Sequence, residues 1–172
     1  MITVRELDLE FSFPEAADVI NFDDSGYHSP STVKRVDFIA EYKDRDIFIE
    51  IKDIDVPNVQ NPRAFLDKLK SGAIVQSLAG KFRDTLFFRT AQGKTERRVV
   101  YVVLLSAEIL DPALLLGKQD QLKKSIPIRH SDWSRDCAIS CAILNLEQWK
   151  RKFGVQSVIR ISEEPAGGHL EA

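Results

Sequence analysis

An acid at Asp37, an acid at Glu50 and a base at Lys52 fall within the segment VDFIAEYKDRDIFIEIKD, residues 36–53. The segment alternates apolar and polar positions around a charged centre, which predicts two β-strands folded back on each other. The charged residues of the turn, Asp46 among them, are expected to be solvated. Two carboxylates that converge on one face can share a divalent cation, because hard cations such as Mg²⁺ bind to oxygen. The alternative interpretation is a set of cross-strand ion pairs on a solvated sheet face, worth less than about 1 kcal/mol.

The register of the two predicted strands decides whether these three side chains can meet. A turn centred on Asp44–Arg45 places Asp37 opposite Lys52 and Ile39 opposite Glu50. Directly opposed residues share a face, and so do residues two apart on one strand, so the three charged residues lie on the same face. Asp37 and Glu50 become diagonal neighbours, about 7–8 Å apart at the backbone and closer at their oxygen atoms.

The rest of the chain predicts the elements that would hold this hairpin in place. Residues 2–11 alternate like a strand, with a slip of one residue between Val4 and Leu7. Pro14 followed by Glu15 indicates a helix over roughly 14–21. The remaining predicted elements are a helix over 64–89 with Gly72 and Gly80 as points for a break, a strand over 99–106, a helix from Asp111-Pro112 to Lys124, a strand over 137–144, a short helix between Asn145 and Gly154, and a strand over 155–162.

This order of elements, β-α-β-β-α-β-α-β-α-β, predicts one domain of the α/β class over residues 1–162. We expect three layers, α/β/α, with a mixed central sheet. Residues 99–106, VVYVVLLS, form a nearly continuous apolar run with four valines, which is typical of a strand buried on both faces. Residues 163–172 are rich in Gly and Pro and predict a flexible C-terminal tail.

The composition limits the classes of function. The chain has 172 residues, of which 44% are hydrophobic and 29% charged, enough apolar material for a core. Its net charge of −2 gives no chain-wide basic surface for nucleic acid, so any such contact must be local. The N-terminal residues carry early charges unlike a signal peptide, and no segment approaches the roughly 20 apolar residues of a membrane span. We therefore expect a cytoplasmic protein, in which Cys137 and Cys141 are reduced.

Other familiar constellations are absent from the sequence. His28, His130 and His169 are scattered and show no metal-binding spacing. No glycine-rich phosphate loop and no G-x-S-x-G nucleophile motif occurs. The hairpin is therefore the main candidate for chemistry.

Asp37, followed after twelve residues by Glu50-Ile51-Lys52, resembles the PD-(D/E)xK motif of the restriction-endonuclease-like nucleases. That family places an Asp at the start of one strand and (D/E)-x-K on the next. A helix precedes its hairpin, and a helix and a strand follow, an order that residues 14–106 reproduce in our prediction. Val36 stands where the motif has proline. The resemblance implies a restriction-endonuclease-like fold and metal-dependent hydrolysis of phosphodiester bonds in DNA or RNA.

The resemblance also implies a role for each motif residue. Asp37, Glu50 and the carbonyl oxygen of Ile51 would bind Mg²⁺ or Mn²⁺. Lys52 would orient the attacking water and stabilise the charge that develops on the phosphate. Many members add a Glu from the preceding helix, here Glu15, whose alternative role is to complement the helix dipole. Some members use Gln or Lys from the following helix. The best candidate here is Gln76, with Lys68 and Lys81 behind it, and an exposed polar helix face would explain all three equally well.

Local basic groups could supply the contacts to nucleic acid. Arg89, Lys94, Arg97 and Arg98 surround the loop before strand 99–106, where they could line a groove for phosphates. Residues 150–152 are also basic, but cations at the end of a helix are ordinary complements of its dipole.

Two further interpretations stay open at this point. The first is a binding or regulatory module that keeps the nuclease fold without catalysis and acts through a protein partner, which the near-neutral net charge favours. The second is an α/β interaction domain whose hairpin only imitates the motif. Nucleic acid is the expected partner of the nuclease, with a homodimer or a protein partner as the alternatives, and no membrane is expected.

Overall fold

The structure is a computed structural model that describes residues 1–24, 26, 33–55, 62–107 and 110–163. These ranges contain eight strands and four α-helices, with five strands before the first helix. The strands are β1 Ile2–Glu6, β2 Leu9–Phe13, β3 Asp18–Asn21, β4 Phe38–Glu41, β5 Arg45–Asp53, β6 Arg98–Ser106, β7 Ser140–Leu144 and β8 Val158–Arg160. The helices are α1 Pro62–Lys70, α2 Ala73–Ala91, α3 Pro112–Ser125 and α4 Leu146–Phe153.

The central sheet has five strands in the order β3-β4-β5-β6-β7. Strand β4 is antiparallel to both β3 and β5, and Tyr42 N–H donates to the Arg45 carbonyl across the tight β4–β5 turn (2.8 Å). Strands β5, β6 and β7 are parallel, which requires long crossovers, and these contain α1, α2 and α3. The predicted α/β fold with a mixed central sheet is confirmed.

Each face of the central sheet is covered by a different layer. One face packs against α2 and α3 in a core that includes Phe48, Phe82 and Tyr101. The other face packs against α4 and a second, antiparallel sheet of β1, β2 and β8, in a core built around Phe11 and Trp149. The third layer thus combines one helix with a small sheet.

The N-terminal segment differs from the prediction in two places. The predicted strand over 2–11 is a hairpin, and the slip in its alternation marks a turn in which Leu7 has a positive φ of 55°. The predicted helix over 14–21 is wrong, since Asp18–Asn21 forms strand β3. Val19 and Ile20 are β-branched and favour a strand. Their strand pairs with β4, whose outer edge would otherwise carry unpaired backbone groups.

The later helices follow their sequence signals more closely. The helical pattern of 64–89 divides into α1 and α2 at Gly72, whose φ of 84° ends the first helix, while Gly80 lies inside α2. The Asp111 side chain accepts from Ala113 N–H at the start of α3 (2.8 Å), and Asn145 forms a capping box with Gln148 at the start of α4. The predicted helix starts at these two positions are confirmed.

Some predictions lie partly or wholly outside the described residues. His28, His169 and residues 164–172 of the predicted tail belong to this group, as do residues 56–61 of the loop after β5. Within the described ranges, no helix has both the length and the apolar composition that a bilayer crossing requires.

Candidate active site

The pairing of β4 with β5 differs from the predicted register by two residues. Ile39 lies opposite Phe48, and Phe38 lies opposite Ile49. Continuing this register by one residue places Asp37 opposite Glu50. A shift of two residues returns every side chain to its original face, whereas a shift of one would reverse it. Asp37, Glu50 and Lys52 therefore still share one face of the sheet, and the two carboxylates are closer than the predicted register implied.

Helix α2 covers this face and brings a fourth charged side chain to it. Lys81 Nζ lies 2.8 Å from Glu50 Oε1 and 3.4 Å from Asp37 Oδ1. The helix is fixed beside β4 because Val36 N–H donates to Thr85 Oγ1 (3.1 Å), one turn beyond Lys81. We call Asp37, Glu50, Lys52 and Lys81 the site cluster.

The Asp37 carboxylate is oriented by the backbone of the neighbouring strand. Its Oδ2 accepts a hydrogen bond of 2.6 Å from the N–H of Ile51. Its own carbonyl oxygen accepts from Phe22 N–H at 2.8 Å. Asp37 lies just before the first residue of β4, so its side chain occupies the place where a ladder hydrogen bond to Ile51 would otherwise lie. This backbone grip leaves Oδ1 free to point toward Lys81.

Glu50 is the buried centre of the site cluster. Its side chain is 0% exposed, and its Oε1 accepts from both Lys52 and Lys81. Its Oε2 is buried, and no described residue forms a hydrogen bond with it. Burial, and then the charge of Asp37, raise the pKa of Glu50 above its usual range, although the two lysines lower it. The cluster thus contains a carboxylate whose charged form is under-compensated.

Lys52 is the member of the site cluster that reaches solvent. Its side chain is 36% exposed, compared with 18% for Lys81. Besides Glu50, it donates to the carbonyl oxygen of Ile51 (3.2 Å). An ammonium in this position can contact both the carboxylates behind it and a substrate in front of it.

The donor set of the cluster fits a hard divalent cation. Asp37, Glu50 and the carbonyl of Ile51 supply oxygen only, and Glu50 Oε2, which accepts from no described residue, is a buried acceptor that a cation would satisfy. Across the described ranges, no three or more His, Cys, Asp and Glu side chains form a metal-holding group. Water and substrate would therefore have to complete the coordination of any cation held here.

The structure does not bring Glu15 to this cluster. The helix predicted to carry it does not form, and Glu15 is exposed near the opposite end of β4 from Asp37, where Ala17 N–H donates to the Glu41 carbonyl (2.8 Å). A carboxylate that was not predicted, Glu6, lies nearer. Burial, and then the charge of Asp37, raise the pKa of this half-buried side chain at the end of β1. The turn at Leu7 was the one sequence signal that could have located it.

Of the three accessory candidates, the structure brings Lys81 to the site cluster. Gln76 lies on an exposed part of α2, five residues earlier, and Lys68 is exposed near the end of α1. The prediction placed Gln76 ahead of the two lysines, because a repeating apolar pattern over residues 64–89 does not show which polar positions turn toward the hairpin. The break at Gly72 changes which side chains of this segment face the sheet.

Arg160 holds together the elements around the C-terminal end of β5, next to the site cluster. Its guanidinium binds both oxygens of Asp53, at 2.9 and 3.1 Å, and lies 3.4 Å from Asp8 Oδ2. Asp8 belongs to the β1–β2 turn, and its carboxylate also accepts from Ser162 N–H (3.1 Å). This clamp ties β8 and the β1–β2 turn, which follows Glu6, to the end of β5.

Two of the residues predicted to contact nucleic acid form a second charged cluster at the turn end of the hairpin. Arg89 Nη2 lies 2.6 Å from Glu41 Oε1 and 3.5 Å from Asp46 Oδ2. Arg97 binds the other oxygens of the same carboxylates, at 2.7 and 2.5 Å. We call these four residues the turn cluster.

The turn cluster corrects two predictions. Arg89 is 1% exposed, so its guanidinium has no surface for nucleic acid and stabilises the interior instead. Asp46, expected to be solvated, is 2% exposed. Lys94 and Arg98 are exposed. In the β5–β6 register, however, Arg98 lies beside Arg45 at the start of β5, seven residues before Lys52. At about 3.3 Å per residue, this basic surface lies about 23 Å from the site cluster.

No protein-family model and no curated protein matches this sequence. Among solved structures, a similar chain is the small subunit of the heterodimeric restriction endonuclease R.BspD6I, at 14% sequence identity and a TM-score of 0.42. The likeness covers 81% of this chain and 59% of that subunit, so this chain spans about three-fifths of the subunit's length. At this identity and TM-score, the likeness identifies neither a family nor an activity.

Proposed function

We propose that this protein is a Mg²⁺- or Mn²⁺-dependent nuclease that hydrolyses phosphodiester bonds of DNA or RNA at the site cluster. The observation that carries the proposal is the convergence of Asp37 and Glu50, whose oxygens both lie within 3.4 Å of one ammonium nitrogen. Two carboxylates that can share one cation, with a solvent-facing lysine beside them, are what the PD-(D/E)xK resemblance requires of these positions.

The residues divide the work by their position. Asp37, Glu50 and the carbonyl of Ile51 would hold the cation, which when bound supplies Lewis-acid activation of the phosphodiester and of water. Lys52 would hydrogen-bond the attacking water and stabilise negative charge on the phosphate, because its ammonium lies beside Glu50 and also reaches solvent. We assign Glu6, in place of Glu15, as the further carboxylate beside the site cluster.

A nuclease assay with a matched control tests this proposal. Wild type and Lys52→Ala are incubated with plasmid DNA and with RNA, with Mg²⁺, with Mn²⁺ or with a chelator. We expect cation-dependent cleavage that falls by about 10²-fold or more in Lys52→Ala, the size of effect seen when one charge-stabilising donor is removed. Lys43→Ala, at an exposed lysine in the hairpin turn, is the control and should cleave like wild type.

Equal cleavage by wild type and Lys52→Ala would locate the activity elsewhere and refute the assignment. Circular dichroism and a thermal unfolding scan of each variant separate loss of chemistry from loss of fold. Asp37→Asn provides a second arm, because it removes a proposed cation ligand and keeps the shape of the side chain.

A second candidate is a catalytically silent module of the same fold that acts through a protein partner. The site cluster favours it in one respect, because two lysines already balance its two carboxylates. The same assay separates the two candidates. Absence of cleavage by wild type with either cation and either nucleic acid supports the silent module.

A further inference from the structure

The site cluster carries an internal cation where the proposed function needs a metal ion. Lys81 Nζ lies between the two carboxylates, 2.8 Å from Glu50 Oε1 and 3.4 Å from Asp37 Oδ1. Lys52 binds the same Glu50 oxygen and the carbonyl of Ile51. Each oxygen of the proposed ligand set, apart from Glu50 Oε2, is therefore already paired with a hydrogen-bond donor of the protein.

The two lysines differ in their freedom to leave this arrangement. Lys52 lies at the solvent-facing rim, whereas Lys81 extends from α2 into the cluster with a side chain that is 18% exposed. Lys81 is also the lysine that contacts both carboxylates, so it alone occupies the position of a shared cation. A lysine that only stabilised one acid would not need to lie between the two.

A divalent cation and this ammonium are not compatible in the same place. A Mg²⁺ ion lies about 2.1 Å from its oxygen ligands, so an ion on Glu50 Oε1 would be within about 5 Å of Lys81 Nζ. Like charges at that range, away from bulk water, repel strongly. The cluster, with two acids and two bases, would also change from neutral to a net charge of +2.

We propose that Lys81 is a resident counter-ion that must withdraw from between Asp37 and Glu50 before a divalent cation can bind there. This inference rests on the proposed function, because it assumes the same cation ligands. It adds a built-in competitor. In the absence of divalent cation, the ammonium neutralises the carboxylates, and the protein's affinity for the cation is set by the difference between the two occupants.

Calorimetric titration with Mg²⁺, and separately with Mn²⁺, tests the competition without any activity measurement. The proteins compared are wild type, Lys81→Met, Lys124→Met as the exposed-lysine control, and Lys81→Met combined with Asp37→Asn. We expect Lys81→Met to bind the cation about tenfold more tightly or better than wild type, since a competing charge has been removed. Lys124→Met should match wild type, and the added Asp37→Asn should abolish the gain.

The outcomes separate this inference from the proposed function. Equal or weaker binding by Lys81→Met than by wild type, with binding lost when Asp37→Asn is added to Lys81→Met, overturns the resident counter-ion and leaves the cation site standing. Absence of binding in wild type and in Lys81→Met overturns both. If Lys81→Met does not fold, Lys81→Gln is the replacement, since it is neutral but can still donate to Glu50.

A second measurement uses the wild-type protein alone. Nuclear magnetic resonance of ¹⁵N-labelled lysine ammonium groups reports on the hydrogen bonds of Lys81 directly, and its signal is assigned by comparison with a Lys81 variant. We expect that signal to shift or to disappear on addition of Mg²⁺, because the ammonium loses its carboxylate partners. An unchanged Lys81 signal when Mg²⁺ saturates the site contradicts the inference.

Discussion

The site cluster and the turn cluster lie at opposite ends of one hairpin, and each combines two carboxylates with two basic side chains. In the turn cluster, all four carboxylate oxygens are paired with the two guanidinium groups. Among the described residues, Glu50 Oε2 of the site cluster has no hydrogen-bond partner, whereas the buried atom left unpaired in the turn cluster is a donor, Arg89 Nε. Arginine presents several donors in a fixed plane, whereas lysine is a compact point charge, so the same charge balance has different consequences.

The pKa values of the two glutamates express this difference. Burial raises the pKa of Glu41, but the hydrogen bonds and charges of Arg89 and Arg97 outweigh it, so the pKa lies below its usual range. Burial dominates at Glu50 and raises its pKa. The turn cluster therefore stabilises the folded protein through its charges, whereas the site cluster holds a charge that the fold alone does not fully compensate.

The largest effect should come from removing the buried arginine of the turn cluster. Arg89→Met leaves Glu41 and the buried Asp46 with one guanidinium, and we expect it to lower the free energy of unfolding by about 3–5 kcal/mol. Lys81→Met should cost clearly less, because the raised pKa of Glu50 makes protonation of that carboxyl an accessible response. Urea unfolding of both variants measures the difference, and equal losses would contradict the contrast.

A smaller effect, but one of opposite sign in the two clusters, is expected from neutralising each glutamate in turn. Glu41→Gln should lower the free energy of unfolding by about 1.5–3 kcal/mol, since hydrogen bonds to charged partners are lost. Glu50→Gln should leave it unchanged or raise it by up to about 2 kcal/mol, as in other sites where function holds an uncompensated group. Chemical denaturation at neutral pH is the measurement. Two losses of equal size would show that the clusters do not differ.

The pH dependence of stability isolates the turn cluster. The folded-state pKa of Glu41 lies below its ordinary value of 4.5. Its contribution to stability is therefore fully present above about pH 4.5 and is lost as the pH falls through the folded-state pKa. We expect wild type to lose more stability than Glu41→Gln on acidification from about pH 5 to pH 3. Urea unfolding of both proteins at a series of pH values measures this. If wild type and Glu41→Gln lose the same free energy of unfolding between about pH 5 and pH 3, the expectation is wrong.

The smallest effect sets the baseline for an exposed ion pair. Glu147 and Arg151 lie one turn apart on α4, 2.6 Å from each other and largely in solvent. Arg151→Ala should change the free energy of unfolding by about 0.3–0.5 kcal/mol, and added salt should screen the pair. A loss close to that of Arg89→Met would mean that burial is not what distinguishes the turn cluster.

The sequence predicted correctly that the motif residues share one face of the sheet, but it predicted the wrong register between their strands. Alternation placed Asp37, Glu50 and Lys52 on one face, and this was robust because the register error was an even number of residues. The turn was assigned to Asp44–Arg45, one residue too late, because local turn signals do not decide between neighbouring centres. The pairing energy of whole strands sets the register.

Other parts of the site depended on tertiary packing, which no local pattern carries. The helix assigned to residues 14–21 gave way to strand β3, because β4 offered an unpaired edge. Arg89 read as a basic surface residue, yet its carboxylate partners lie 43 and 48 residues away along the chain. Glu6 lies near Asp37 because β1 and β2 form a hairpin whose turn Arg160 links to the end of β5.

The Arg160 clamp has a consequence for how the protein folds during synthesis. Arg160 follows its partner Asp53 by 107 residues and Asp8 by 152. At translation rates of about 5–20 residues per second, roughly 5–20 s separate the appearance of Asp53 from that of Arg160. Until then, the carboxylates at the end of β5 lack their guanidinium, and contacts of such high sequence separation are slow to form. The region around the site should therefore be among the last parts of the nascent chain to become rigid.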